Sequence, residues 1–202
     1  MRPGLTAGTL WFVVAKPAPS LDDLVAQLET LPQGVKGEII KGTLYTNPRP
    51  FARHMSIEGL IVADLSSPYQ RGRGGPGGWW ILPEPGIFLP GSPEFSPDVA
   101  GWRRERLVLL PDGKLTTVPD WICEIHSTGR RGYDLRIKRP FYAEIGVAWL
   151  WYVDAEARAL TVSRLQGGRW LEVGVYGDRD RVRCAPFDEV EIDLAEWWGE
   201  TD

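Results

Sequence analysis

The sequence predicts an α+β fold with an α/β core. Three observations carry that prediction. Two segments, residues 21–28 and 54–65, place apolar side chains at helical spacing. Strand-like runs crowd the chain after residue 79. A single further helical segment, roughly 133–145, lies between the fourth and fifth of those runs.

The elements follow in order. A short apolar run at 10–14 reads as a strand and is closed by Pro17 and Pro19. Leu21, Leu24, Val25 and Leu28 form the first helical face, with Ser20 as N-cap and Asp22 and Asp23 in the first turn. Pro32 and Gly34 end it. Residues 35–45 read as a hairpin turning at Lys41-Gly42. A Pro/Arg-rich loop covers 47–53. Met55, Ile57, Leu60, Ile61 and Leu65 favour the second helix. The stretch 66–78 holds Arg71, Arg73 and five glycines and reads as a flexible segment. The strand candidates are 79–82, 86–89, 98–102, 121–126, 149–153, 160–165 and 170–175. The division expected is an N-terminal extension, 1–20, followed by one domain, 21–202, whose end is a strand-rich extension.

Composition narrows the function. The chain has 202 residues, 43% hydrophobic and 25% charged, which suits one sizeable globular unit. The 23 glycines and 17 prolines cluster, as long turns around a core do. No apolar run approaches the roughly 20 residues of a membrane-spanning helix. The apolar run at residues 10–15 is too short for a secretory signal. Two cysteines, Cys123 and Cys184, make no disulfide framework, so a reducing cytoplasm is the expected location. Net charge is −4, but residues 101–140 carry an excess of four positive charges and residues 171–202 an excess of seven negative ones. Such a chain does not coat DNA generally, yet it can carry one basic surface beside a reaction centre.

Several chemistries lack their residues. No G-x-S-x-G elbow positions a serine, and the glycine-rich stretch 72–78 lacks the G-K-[ST] ending of a phosphate-gripping loop. Cys123 and His126 are spaced C-x-x-H, but on a strand an offset of three puts them on opposite faces. Cys123 therefore reads as a small core hydrophobe.

Carboxylates remain. In the run 120–126, Trp121, Cys123 and Ile125 share one apolar face, and Glu124 and His126 project from the other. A charge amid so apolar a strand is costly unless it is paired, protonated or bound to metal. A structural ion pair and a functional site are then about equally good readings of Glu124. Asp120 and Glu124 are four residues apart, about 13 Å along a strand, too far to share one ion. Asp98 opens a different strand, and neighbouring strands lie about 4.8 Å apart. Asp98 with Glu124 is thus the preferred pair. Lys138 stands four residues after Asp134, which reads either as a surface ion pair or as a lysine leaning towards Glu124. Two carboxylates and a lysine suit metal-assisted hydrolysis of a phosphodiester.

The ordered set of motifs resembles a known family. It runs Glu38-Ile-Ile-Lys-Gly42, Asn47-Pro48 with His54, Ser96-Pro97-Asp98-Val99-Ala100 and Pro119-Asp120-Trp-Ile-Cys-Glu124-Ile-His-Ser127. It continues with Asp134-Leu-Arg-Ile-Lys138, Tyr142-Ala143, Gly146-Val147, Trp151-Tyr152-Val153-Asp154 and the closing Pro186-Phe187 and Asp193-Leu194. Over residues 21–195 it resembles the Uma-type restriction endonuclease family of the PD-(D/E)XK nuclease superfamily. The resemblance implies a restriction-endonuclease-like mixed sheet flanked by helices. It implies Mg²⁺ (or Mn²⁺) held by Asp98 and Glu124, with Glu38 as an accessory ligand. It also implies catalysis by Asp98, Glu124, Glu38 and Lys138, the last on the helix after the glutamate, and DNA as the substrate. His126 occupies the usual superfamily lysine position. Two departures stand out: Thr128-Gly129-Arg130 where the family often has Pro-Ser-Thr, and Pro140 two residues after Lys138.

The leading expectation is a Mg²⁺-dependent DNA endonuclease. The alternative is a catalytically inactive nuclease-fold protein that binds or regulates, which the acidic pI of about 5.3 favours slightly. Arg71, Arg73, Arg103, Arg104, Arg130 and Arg131 are the expected phosphate contacts. Trp197-Trp198 reads either as an exposed patch for homodimer contact or as a cap on the core.

Overall fold

The computed structural model describes residues 18–126 and 131–199. The strand expected at residues 10–14 lies outside them. Helix α1, Leu21–Glu29, begins where the capping residues place it. Ser20 Oγ accepts from the Asp23 N–H, and the Asp23 carboxylate accepts from the Ser20 N–H at 2.9 Å, a capping box. Strands β1 (Val35–Ile40) and β2 (Thr43–Pro48) form the expected hairpin. Lys41 (φ 52°) and Gly42 (φ 69°) both take the left-handed conformation that a tight two-residue hairpin turn needs.

Helix α2, Ala52–Leu65, buries Ile57, Ile61 and Leu65. It runs on into a π turn, Ser66–Gln70, where the sequence suggested only a flexible segment. Next come β3 (Trp79–Pro83), β4 (Ile87–Leu89), β5 (Ser92–Phe95), β6 (Val99–Arg103) and β7 (Trp121–His126). The helical segment after β7 has three pieces: α3 (Arg131–Tyr133), a π turn (Asp134–Lys138) and α4 (Arg139–Glu144). The Arg139 N–H reaches back five residues to the Asp134 carbonyl. Pro140 thus follows close on the π turn, which widens the helical run just where the proline supplies no N–H. Strands β8 (Trp149–Asp154), β9 (Ala159–Gln166), β10 (Arg169–Gly177), β11 (Arg181–Cys184) and β12 (Phe187–Asp193) follow, then α5 (Leu194–Trp197).

The central sheet has the order β10-β9-β8-β7-β6-β3. Only β7 and β8 are parallel, joined through the α3–α4 segment; the other pairs are antiparallel. Its alternation sorts the core into two clusters. Trp121, Cys123 and Ile125 of β7 face α2, the β11–β12 hairpin and α5. Ile122, with Ala100, Trp102 and Leu150, faces α4 and the smaller sheet β2-β1-β5-β4. At Gly101 in mid-β6 an added Cβ would stand 3.1 Å from Trp121 and 3.2 Å from Ile81, a tight fit to which those side chains would have to yield.

The C-terminal tryptophans settle one alternative. Trp197 and Trp198 are 1% and 8% exposed and belong to the first cluster. They cap the core and form no exposed patch. Trp197 Nε1 also donates to Asp64 of α2 at 2.8 Å.

Candidate active site

Antiparallel pairing places Val99 opposite Cys123. Asp98, one residue before β6, thus meets the end of β7 at the level of Glu124. Asp98 Oδ2 accepts from the Ile125 N–H at 2.7 Å. The smaller sheet brings Glu38, on β1, to the same place, where Glu38 Oε1 accepts from the Ser96 N–H at 2.9 Å. The π turn after β7 ends on Lys138 and turns it inward. Its ammonium lies 3.0 Å from Glu124 Oε1, 3.1 Å from Glu124 Oε2 and 3.3 Å from Glu38 Oε1.

The four residues proposed from sequence therefore share one buried place. Glu38, Asp98, Glu124 and Lys138 are each at most 5% exposed. They line a cavity of about 10 Å³, room for one water-sized occupant. Asp134 does not pair with Lys138, as helical spacing allowed. It takes His126 Nδ1 at 2.9 Å, and the His126 ring stacks on Tyr152. Asp120, the rejected carboxylate, accepts from the Arg103 N–H at 2.9 Å and pairs with Arg106.

Three side chains without an assigned role complete the site. His54 of α2 sets Nε2 3.2 Å from Asp98 Oδ1, and neither ring nitrogen makes an aligned hydrogen bond. Tyr142 donates a short hydrogen bond to Glu124 Oε1. Tyr133 donates to Glu38 Oε2 at 3.1 Å. The signal for Tyr142 was available, since it lies four residues after Lys138 and so on the same helix face. Nothing local signals that His54 will meet Asp98, 44 positions along the chain.

Electrostatics follow from burial. Burial pushes the Asp98 carboxyl up, but His54 beside it, with Lys138 and Lys36 behind, outweighs that and holds it low. Burial pushes Glu124 up; Lys138 pulls it back, and Asp98, Asp134 and Glu38 add to the upward push. Burial alone would lower the Lys138 ammonium, yet Glu124, Glu38 and Asp98 hold it well above its ordinary range. Three buried carboxylates thus converge on the Lys138 ammonium, with His54 beside Asp98 and Lys36 at the cavity wall. With all three ionised their negative charge is costly in a site so dry, and a cation would offset it. The donors are hard oxygens, which suit Mg²⁺ or Mn²⁺, and His54 is an orphaned polar group beside one of them. The set is not pre-assembled: among the described residues, no three His, Cys, Asp or Glu side chains stand together closely enough to grip one ion.

Two of the expected arginines stand apart from the carboxylates. Arg103 and Arg104 are at the far end of β6, five and six residues from Asp98, so about 17 Å away or more. Arg103 stacks on Trp79, and Arg104 donates to the Gln70 and Trp79 carbonyls. Arg71 and Arg73 are exposed on the loop leading to β3. Arg131 pairs with Asp154 at 3.2 Å. Arg130 lies outside the described residues. Among the described residues, no helix is long and apolar enough to cross a membrane.

The architecture matches a solved structure, the "Crystal structure of a putative nuclease belonging to DUF820" from Anabaena variabilis ATCC 29413. The match has a TM-score of 0.67 at 18% identity and covers 87% of this chain and 97% of that one. It supports a restriction-endonuclease-like fold. No curated protein matches the chain. The sequence model of the Uma2 family, described as "Putative restriction endonuclease", matches residues 22–195, and the chain belongs to that family.

Proposed function

We propose that the protein is a divalent-metal-dependent DNA endonuclease whose reaction centre is Glu38, Asp98, Glu124 and Lys138. The observation that carries this reading is the convergence of three buried carboxylates and one buried lysine on a single small cavity. Asp98 and Glu124, with Glu38 as accessory, would hold Mg²⁺ or Mn²⁺. When bound, the ion supplies Lewis acidity for the phosphate and lowers the pKa of a bound water.

The chain's own residues do the rest. Lys138 stays an ammonium, so it is a donor and not a base. It can orient the attacking water and meet the charge that develops on the phosphate oxygens. Tyr142 fixes Glu124, and Tyr133 fixes Glu38. Tyr142 is itself fully buried, so its hydroxyl holds the Glu124 carboxylate on the core side of the site. The Ile125 N–H and His54 fix Asp98 as the anion.

One observation favours the alternative, a binding module that does not cut: Lys138 already engages both oxygens of Glu124. Nicking of supercoiled plasmid in Mg²⁺ or Mn²⁺ separates the two. Wild type should cut with either ion and stop in EDTA, and Asp98→Asn should not cut. No cutting by wild type with either ion would leave the binding module.

A further inference from the structure

Beside the reaction centre lies a larger cleft of about 550 Å³. It is walled by Lys36, Arg49, Met55, Glu58, Val62 and Pro83. Lys36 lines both this cleft and the small cavity of the carboxylates. The walls are tied to the centre in two more places. The Glu84 N–H donates to the Asp98 carbonyl at 2.7 Å, and the Ser96 N–H donates to Glu38. A group attached to a phosphate at the reaction centre therefore has this cleft next to it.

Glu58 is the unexplained residue. The residue is 92% buried, its carboxyl opens on the cleft, and it makes no hydrogen bond or ion pair among the described residues. The hydrogen bonds of that carboxyl therefore go to whatever fills the cleft, water or a ligand that brings donors. The cleft is far too large for a bare ion and falls in the range of small-ligand pockets, about 300–1,000 Å³. Met55, Val62 and Pro83 give it apolar walls suited to a flat organic body. Lys36 is held at the rim by Glu84, 2.9 Å away.

We infer that this cleft receives an unpaired nucleobase next to the scissile phosphate, and that Glu58 accepts hydrogen bonds from its amino edge. The inference rests on the nuclease reading above and names a feature of its substrate. Guanine fits best. Its N1–H and exocyclic amino group are parallel donors, and a carboxylate is the matching parallel acceptor. Thymine offers one ring N–H flanked by two carbonyl oxygens, which face a carboxylate badly. In a duplex guanine's donor edge is taken by cytosine, so the base must be unpaired to be read. Separating it costs least where it is already mismatched, bulged or single-stranded. Arg49 at the cleft wall is available to an adjacent phosphate.

The test is binding of labelled synthetic DNA by fluorescence anisotropy at pH 8, where the Glu58 carboxyl is ionised, in EDTA so that nothing is cut. The probes are a duplex with one unpaired guanine, the same duplex with one unpaired thymine, and the fully paired duplex. The expected order is guanine bulge tightest, with thymine about tenfold weaker and the paired duplex no tighter than thymine. Glu58→Gln keeps shape but replaces one acceptor oxygen by a donor, and it should level the two bulges. Circular dichroism and melting of Glu58→Gln establish that it is folded. Equal binding of both bulges by wild type overturns the inference, as does a guanine preference that survives Glu58→Gln. If Glu58→Gln instead removes Mg²⁺ binding measured by calorimetry without DNA, the cleft serves a cation and the inference is also overturned. Cutting of the same probes in Mg²⁺ is scored separately. Cutting without base preference defeats this inference alone, and base preference without cutting defeats the nuclease reading alone.

Discussion

Lys138 Nζ lies 3.0 and 3.1 Å from the two oxygens of Glu124, although one strand end and a π turn separate the residues in the chain. The pair is buried on both sides. It is a different object from the exposed i,i+4 pair with Asp134 that the helix pattern allowed, which would contribute only about 0.3–0.5 kcal/mol.

Lys138→Ala should therefore be costly twice. Leaving Glu124 and Glu38 buried without their cation should destabilise the fold by about 3–5 kcal/mol. Loss of one electrostatic donor should lower the cleavage rate about a hundredfold or more at matched folded concentration. Lys138→Arg should not rescue fully, because a planar guanidinium does not fit where a compact ammonium sits. Plasmid nicking and thermal melting check both halves. Near-wild-type cutting by a folded Lys138→Ala would remove lysine from the mechanism. His126, whose ring Asp134 orients through Nδ1, would then be the next candidate.

His54 stands 3.2 Å from Asp98, where it can position the carboxylate. Its imidazole is 4% exposed, and both ring nitrogens lack an aligned partner. His54→Leu leaves the buried Asp98 carboxylate without its neighbouring imidazole, so melting should fall. If the ring also positions Asp98, Mg²⁺ affinity of the folded variant by calorimetry should fall about 10–100-fold. Unchanged affinity would reduce His54 to packing.

Much of this was readable in the sequence because it is local. The alternation Trp121, Cys123, Ile125 against Ile122, Glu124, His126 assigns β7 its two faces, and the structure keeps both. Ser20 with Asp23 marks the start of α1, and Lys41-Gly42 marks the hairpin turn. Strand β5 was missed because Ser92–Phe95 has a proline and a glutamate in four residues, and one of its two partners, β1, is distant in the chain. β11 and β12 were missed because Arg181, Arg183, Asp188, Glu189 and Glu191 give their solvent side a loop-like composition. The His54–Asp98 contact and the Asp134–His126 pair depend on packing between elements, which no spacing rule contains.

The C-terminal hairpin buries Phe187 together with Val182, Cys184 and Ile192. Phe187 packs against Tyr69, Trp79, Trp121 and Trp151 with centroids 4.7–5.5 Å apart. It is fully buried over the sheet face opposite the carboxylates. Phe187→Ala should cost about 3–5 kcal/mol in chemical denaturation. A loss under 1 kcal/mol would mean that the hairpin is not part of the cooperative core.

Cation binding should be visible without any substrate. If Mg²⁺ relieves the repulsion among Glu38, Asp98 and Glu124, wild type should gain stability as RT ln(1 + [L]/Kd), about 2.7 kcal/mol at a hundredfold excess over Kd. Asp98→Asn should lose that gain while keeping its own fold. An equal rise in melting temperature for both proteins would place the ion elsewhere.

Glu58 makes a prediction about pH. Burial first, then the charges of Asp98 and Glu84, push its carboxyl from an ordinary 4.5 up to about 7, against the weaker pull of His54 and Lys36. Between those two values the folded chain holds a proton that the unfolded chain has released. Folding stability therefore falls as pH rises through that window, and the loss is complete above about 7. Glu58→Gln cannot ionise and should not suffer this loss. The variant should match wild type near pH 4.5 and exceed it in melting temperature at pH 8, with the difference growing between. The other carboxylates titrate in both proteins, so the difference between the two curves isolates Glu58. A pH-independent difference would mean that Glu58 ionises normally, and that its burial is relieved by water in the cleft.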